Sequence, residues 1–140
     1  MILTHHTTRV LIIDDHDLDV ELTRHALHQV APNAQVGHTN DPEKALHDLT
    51  ADHAVLPDLV LLDLNMPVLH GHDVLAALRA HPRTRHLRVV VCSTSDREAD
   101  RQRSLTLGAD AYLVKPLTDD ELKAELNTLL HGTLPIDLAS

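Results

Sequence analysis

The stretch Val10-Leu-Ile-Ile-Asp-Asp-His-Asp17, VLIIDDHD, runs four aliphatic residues directly into adjacent carboxylates. An unbroken aliphatic run reads as a strand buried on both faces, because a half-exposed strand would alternate apolar and polar residues. The acids at its end allow two readings. They cap the helix that follows, or they are held side by side to bind a cation.

Working outward, short aliphatic runs alternate with longer amphipathic ones. Val10–Ile13 precedes a helical pattern with Leu18, Leu22 and Ala26 on one face, ending near Pro32. A weaker strand, Ala34–His38, leads to Asp41-Pro42, an N-cap followed by proline at the first helical position, which opens a helix over about Glu43–Asp52. Leu59–Leu62 is a strand ending at Asp63, and a loop through Gly71 leads to a helix carrying Val74, Leu75 and Leu78. Leu87–Cys92 is the fourth strand. The polar helix Asp96–Leu107 is closed by Gly108. Ala111–Val114 is the fifth strand, and Thr118-Asp-Asp-Glu121 has capping-box spacing for a last helix burying Leu122, Leu126, Leu129 and Leu130.

Five strands alternating with five helices predict an α/β fold, a mostly parallel sheet covered on both faces. The 140 residues make one domain with a core over about 9–131 and a tail, Gly132–Ser140, in which Leu134, Ile136 and Leu138 alternate. That tail either packs or frays. Tyr112 is the sole aromatic residue, so the core must be aliphatic. Twelve Lys+Arg against 21 Asp+Glu give a net charge of −9, which argues against a nucleic-acid partner. Thirteen histidines make that charge shrink in mild acid. The single cysteine, Cys92, cannot form an internal disulfide and reads as a small core residue. With no hydrophobic signal region in Met1–Arg9 and no run near the roughly 20 apolar residues of a membrane span, the expected location is cytoplasmic, without membrane contact.

In such a sheet, ligands bind beyond the carboxyl ends of the strands. Those ends carry Asp14 and Asp15, Asp63, Ser93 and Lys115. Three carboxylates and one ammonium leave a net charge of about −2, and like charges at about 4 Å repel by about 1 kcal/mol even in bulk water. A divalent, oxygen-seeking cation cancels the excess, and Mg²⁺ fits best because it prefers a few carboxylates, keeps several waters and commonly accompanies phosphates. Without a metal the site needs one acid protonated or further basic partners.

The segments VLIIDDHD, LVLLDLNMPVLHG, VVVCSTSD and AYLVKPL resemble the signature segments of CheY-like response-regulator receiver domains, which adopt a flavodoxin-like (βα)5 fold. The resemblance covers about Arg9 to His131. It implies that Asp63 is the phosphoacceptor, loaded by a sensor histidine kinase in two-component signal transduction. It also implies that Asp15 contacts Mg²⁺ directly and Asp14 through water, with the Asn65 main-chain carbonyl a further ligand. Ser93 would donate to a phosphoryl oxygen, Lys115 would pair with the phosphoryl group, and the Lys115-Pro116 bond would be cis. Ser93 and Tyr112 would form the switch, while Asn65, Thr94 and Ser95 would tune the phosphoryl lifetime. The helix Asp96–Leu107, held mainly by Ala99, Leu105 and Leu107, offers independent grounds for an easily displaced element.

Three positions depart from the family pattern. Thr94 stands where a small residue is frequent, and its bulk would narrow access to Asp63. Leu117 stands where Phe is frequent, which alters packing. His16 follows the acid pair, as a cap, a surface residue or a charge that tunes the acids. His70 and His72 flank Gly71 at a spacing that suits zinc, but no cysteine or third histidine is placed with them.

No output domain is expected after the receiver, so output would be by protein contact. The resemblance is strongest to stand-alone receivers that work with bacterial phytochrome kinases, and it implies a homodimer through the fourth helix, fifth strand and fifth helix. Enzymatic turnover is not expected beyond self-phosphorylation and self-dephosphorylation. One alternative is a relay protein passing phosphate to a histidine phosphotransfer partner. Another is a haloacid-dehalogenase-type phosphatase, suggested by the acid-x-acid Asp15-His16-Asp17. Against it, Asp19 stands where such enzymes have Thr or Val. A flavin-binding electron carrier lacks support because no Gly/Thr/Ser-rich phosphate loop follows the first strand.

Overall fold

A computed structural model describes residues 7–132. The alternating Leu134, Ile136 and Leu138 of the tail lie outside the described residues. The chain runs β1 (Arg9–Ile13), α1 (Asp17–Val30), β2 (Gln35–Thr39), α2 (Pro42–Thr50), β3 (Leu59–Leu62) and α3 (Gly71–Ala80). It continues as β4 (Arg88–Ser93), α4 (Glu98–Thr106), β5 (Ala111–Val114) and α5 (Asp119–Asn127), with a π-helical turn over Thr128–Gly132. All pairings are parallel and the strand order is β2-β1-β3-β4-β5. The order reverses between β1 and β3, so the crevice above their carboxyl ends is the place for a ligand.

Burial follows the pleat. Ile13, Val60, Leu62, Val89 and Val91 point to a core completed by Ala45 and Leu49 of α2 and Val74, Leu75 and Leu78 of α3. Val10, Ile12, Leu59, Leu61, Val90 and Leu113 point to the opposite core, closed by Val20, Ala26 and Leu27 of α1 and Leu126 of α5. β3 is buried at all four positions, as its aliphatic run implies. Among the described residues, no helix is long and apolar enough to cross a membrane.

Two caps form where the sequence places them. The Asp41 side chain accepts from the Lys44 amide ahead of Pro42, and Thr118 and Glu121 form a reciprocal capping box. Strands β2 and β4 each begin and end one residue later than the sequence suggests, and the later end brings Ser93 into β4.

Two helix faces differ from the sequence reading. Leu18 and Leu22 are 71% and 51% exposed; of the expected stripe Ala26 is buried, and Val20 and Leu27 join it in place of the two leucines. Both stripes have helical spacing, and the side on which the sheet lies selects between them. In α4, which starts at Glu98 rather than Asp96, Ala99 is exposed and Ser104 is the buried residue. Its hydroxyl accepts from His72 Nε2 of α3 at 2.8 Å while donating to the Asp100 carbonyl at 2.9 Å. Leu107 packs against the core as expected, and this polar bond adds a second anchor for α4.

Gly71 starts α3 against the end of β3. A Cβ there would lie 2.5 Å from the Asp63 carbonyl oxygen and 2.6 Å from Leu64 Cα, both backbone atoms that cannot swing aside. The close approach fixes the loop that carries the acid.

Candidate functional site

The sheet ladder extends beyond the strands and sets the site's backbone. Asp14 N donates to Thr39 O at 3.1 Å, Asp63 N to Ile13 O at 2.9 Å, and Lys115 N to Ser93 O at 2.7 Å. Asp14, Asp63, Ser93 and Lys115 are thus mounted on one rigid edge. Asp63 is 2% exposed, Asp14 5% and Ser93 0%. The Lys115–Pro116 peptide is cis.

Lys115 Nζ donates to Asp14 Oδ2 at 2.8 Å and to Asp19 Oδ2 at 3.1 Å. Burial works against its charge, but the Asp14 bond, the Asp14 and Asp63 charges and the Asp19 bond outweigh it and raise its pKa above the ordinary lysine value. Asp63 has the reverse balance. Burial pushes its carboxyl up; Lys115 pulls it down, Asp14 pushes it up again, and the Asn65 amide and His16 pull it down, with a net rise. The Asn65 amide reaches Asp63 Oδ1 at a long 3.4 Å.

Asp15 Oδ1 and Asp63 Oδ2 are buried and accept no hydrogen bond. A buried carboxylate oxygen without a partner is costly, so this pair marks a place built for a positive group. Asp14, Asp15, His16 and Asp63 each offer a donor atom, and the four atoms lie within 4.8 Å of one another. Carboxylate oxygens gathered at that spacing fit a hard divalent cation. The resemblance adds the Asn65 main-chain carbonyl.

His16 is a half-exposed residue whose ring faces the acids and does not cap the helix. It occupies the N-cap position of α1, yet its side chain makes no capping bond. Instead Nδ1 lies 3.0 Å from Asp14 Oδ1, 3.1 Å from Asp15 Oδ1 and 3.3 Å from Asp63 Oδ2, with its hydrogen bond made to Asp14. That bond raises the His16 pKa; burial opposes it, and the Asp15 and Asp63 charges add to it. The adjacency of His16 to the acids hinted at this, but its ring direction was not readable from sequence. His16 as a charge beside the acids was among the readings offered, whereas Asp19 and His38 were missed. Asp19 shares Lys115, and His38 Nε2 donates to the Asp14 carbonyl at 2.8 Å from β2.

On the other flank, Ser93 Oγ accepts from Ser95 N at 3.1 Å and from Asn65 Nδ2 at 3.4 Å. Tyr112 Oη donates to the Ser95 carbonyl at 2.8 Å, and Ser95 Oγ donates to Asp100 Oδ2 at 2.5 Å. Thr94 is exposed between them. The turn from β4 into α4 is therefore tied to β5 by Tyr112, to α4 by Asp100 and to the site by Ser93.

The remaining candidates are used structurally. His70 Nδ1 accepts from the His72 amide at 3.0 Å, and His72 Nε2 is taken by Ser104, so neither histidine offers a prepared zinc site. Among the described residues the acid cluster with His16 is the one group suited to a metal. Burial pushes the Cys92 thiol up to about 12, which leaves it inert. Asp17 lies exposed as the first residue of α1, whereas Asp15 is half-buried.

Residues 10–127 match the family described as the response regulator receiver domain. The chain is 35% identical to the response regulator PleD of Caulobacter vibrioides over 131 residues, covering 94% of this chain and 28% of that protein. It thus spans well under two thirds of that relative's length. Among solved structures, the phosphorylated cyanobacterial phytochrome response regulator RcpA superposes with a TM-score of 0.81 at 29% identity, over 93% of this chain and 99% of that one. The Mn²⁺-bound response regulator Rcp1 gives 0.78 at 28% identity, over 91% and 99%. The flavodoxin-like fold, the strand-end acids with their hydroxyl and lysine, and the match over nearly all of the sheet lead to one assignment: the chain belongs to the response regulator receiver domain family.

Proposed function

We propose that this receiver accepts a phosphoryl group on Asp63 from a sensor histidine kinase, with Mg²⁺, and converts the modification into altered protein contacts. The observation that carries the reading is Asp63 itself, a 2% exposed carboxylate whose Oδ2 accepts no hydrogen bond, set between an acid pair and a lysine. A bound Mg²⁺ would be held by Asp14, Asp15, Asp63 and the Asn65 main-chain carbonyl, and would supply positive charge to the phosphoryl oxygens.

The chain's own residues do the rest. A carboxylate oxygen of Asp63 attacks phosphorus in line, a P–O bond forms, and the P–N bond to the kinase imidazole breaks. Charge spreads over the transferring oxygens, so the contribution of the site is positioning and electrostatic stabilisation. Lys115, held by Asp14 and Asp19, has three donors and a full charge to offer the new phosphoryl group. Ser93 Oγ donates to a phosphoryl oxygen once it turns away from its present partners. Because Ser93 accepts from the Ser95 amide and Tyr112 holds the Ser95 carbonyl, that turn strains the β4–α4 connection and frees the ring. Asn65, Thr94 and Ser95 border the path of an attacking water and tune the lifetime of the acyl phosphate.

Bacterial phytochromes are the favoured kinases, since RcpA is named as a phytochrome response regulator. A homodimer through α4, β5 and α5 suits a face that presents Val114 at 38% exposure among paired charges such as Arg97–Asp100 and Lys123–Asp119.

The test is to incubate the protein with Mg²⁺ and a small acyl phosphate and record intact mass. One labile phosphoryl adduct is expected, absent in Asp63→Asn. An adduct that survives in that variant, one stable to base, or steady hydrolysis of phosphate monoesters overturns the reading.

A further inference from the structure

We propose that His16 is a nitrogen ligand of the cation site and gives it a preference for Mn²⁺ and similar first-row ions over Mg²⁺. The proposal rests on the cation-dependent acid site described above and adds a donor to it.

Three observations carry it. First, the ring is not engaged in capping, since His16 stands at the N-cap of α1 without a side-chain capping bond. Second, its Nδ1 is aimed into the acids, 3.0, 3.1 and 3.3 Å from one oxygen each of Asp14, Asp15 and Asp63. Donor atoms about 2.1 Å from a metal stand about 3.0 Å apart at adjacent octahedral positions and about 3.4 Å apart at tetrahedral ones. The observed separations fall in that interval. The same separations suit a ring proton shared with the acids while no ion is bound, so the nitrogen exchanges that proton for the metal with little movement. Third, two of those oxygens, Asp15 Oδ1 and the deeply buried Asp63 Oδ2, accept no hydrogen bond and so remain available to a shared ion.

The main chain holds the ring in place, because the His16 amide donates to Asp14 Oδ1 at 2.8 Å. The side chain is 50% exposed, leaving an open side for an ion to enter and for water to complete its shell. Chemistry then sets the selectivity. An all-oxygen site suits Mg²⁺, whereas an imidazole nitrogen favours borderline first-row ions. The ring enters as neutral imidazole and releases any proton it carries.

The probe is Mn²⁺ on the full chain at about pH 8, where protons compete least for imidazole. Calorimetry gives the Mn²⁺ and Mg²⁺ affinities, and pulsed electron paramagnetic resonance reads nitrogen coupled to bound Mn²⁺. One bound Mn²⁺ with a nitrogen coupling is expected. In His16→Gln the coupling should disappear and the Mn²⁺-to-Mg²⁺ affinity ratio should fall about tenfold, while Mg²⁺ binding changes little. Asp15→Asn, which removes an acid and keeps the ring, should weaken both ions.

Single-site Mn²⁺ binding that needs Asp15 but shows no nitrogen coupling overturns the His16 role and leaves the acid site standing. A coupling that persists in His16→Gln, an unchanged ratio, or equal tightening of both ions in that variant has the same consequence. Mn²⁺ and Mg²⁺ binding unaffected by Asp15→Asn overturns the acid-site reading together with this one.

Discussion

Lys115 Nζ donates to Asp14 Oδ2 at 2.8 Å although the two residues are 101 positions apart. The bond joins the ends of β1 and β5, which are not neighbours in the sheet, and so crosses above β3, the strand that ends in Asp63, and β4, which ends in Ser93. One ammonium thereby neutralises part of an acid cluster from the far side of the sheet.

Removing that ammonium should destabilise the fold as well as impair phosphoryl transfer. The side chains are 12% and 7% exposed, so Lys115→Ala leaves Asp14 buried without its charged partner. Losing a charge-assisted bond of this kind costs about 1.5–3 kcal/mol. Asp19→Asn should cost less, because Asp19 is 34% exposed and Asp14 still holds the lysine. Urea denaturation of both variants checks the order, and a Lys115→Ala midpoint equal to that of Asp19→Asn would contradict it.

Asp63→Asn should have the opposite effect on stability. The folded-state pKa of Asp63 lies above its ordinary value of 3.8, burial being the main cause. A raised carboxyl contributes stability that is present below 3.8 and is lost as pH rises through the folded pKa. At neutral pH the charged acid therefore opposes folding, and the neutral amide relieves that opposition. Without divalent ions the variant should melt higher than the parent at pH 7. The gain should shrink as the buffer approaches pH 3.8, where the parent acid takes up its own proton.

His72 should make stability fall in mild acid. Burial lowers its pKa below 6.5, and the neighbouring His70 and Arg103 add to the lowering while Asp100 opposes it. A lowered histidine contributes stability that is present above 6.5 and is lost as pH falls through the folded value. Protonation would put a charge in the contact through which Ser104 anchors α4. His72→Gln keeps a donor for Ser104 without the titration, so its melting temperature should fall less between about pH 7 and pH 5. Parallel melting curves for the two proteins would rule the mechanism out. His16, raised by Asp14, has the opposite slope, but it is present in both proteins and cancels.

These residues also separate what was legible in the sequence from what was not. Asp14, Asp15, Asp63, Ser93 and Lys115 could be gathered from their places after aliphatic runs, because a parallel sheet brings its carboxyl ends together. β3 was legible because burial on both faces leaves no polar position in Leu59–Leu62, whereas the edge strand β2, QVGHT with no buried residue, gave a weaker signal. The exposed Leu18 and Leu22 show the limit for α1, whose pattern offers two stripes and whose packing partner alone chooses one. The His72–Ser104 bond spans 32 positions and joins two helices through polar atoms, so no apolar periodicity announces it. Asp19 and His16 depend on side-chain direction at the start of α1, which is set by the lysine and acids arriving from other strands.

Val68 offers a stabilising change beside the site. Its φ is 72°, in the left-handed region, and it is 86% exposed in the loop between β3 and α3. A β-branched residue is strained there, with a cost of about 1–2 kcal/mol, and so exposed a side chain recovers little of that by burial. Asparagine accepts the left-handed conformation at lower cost because its short polar side chain bonds locally. Val68→Asn should therefore raise the melting temperature by about 3–5 °C, corresponding to about 1 kcal/mol. Val68→Gly should gain less, since glycine has more backbone freedom to lose on folding. Val68→Ile keeps the β-branch and should gain nothing, so an equal rise in that variant would show that strain at φ is not the source.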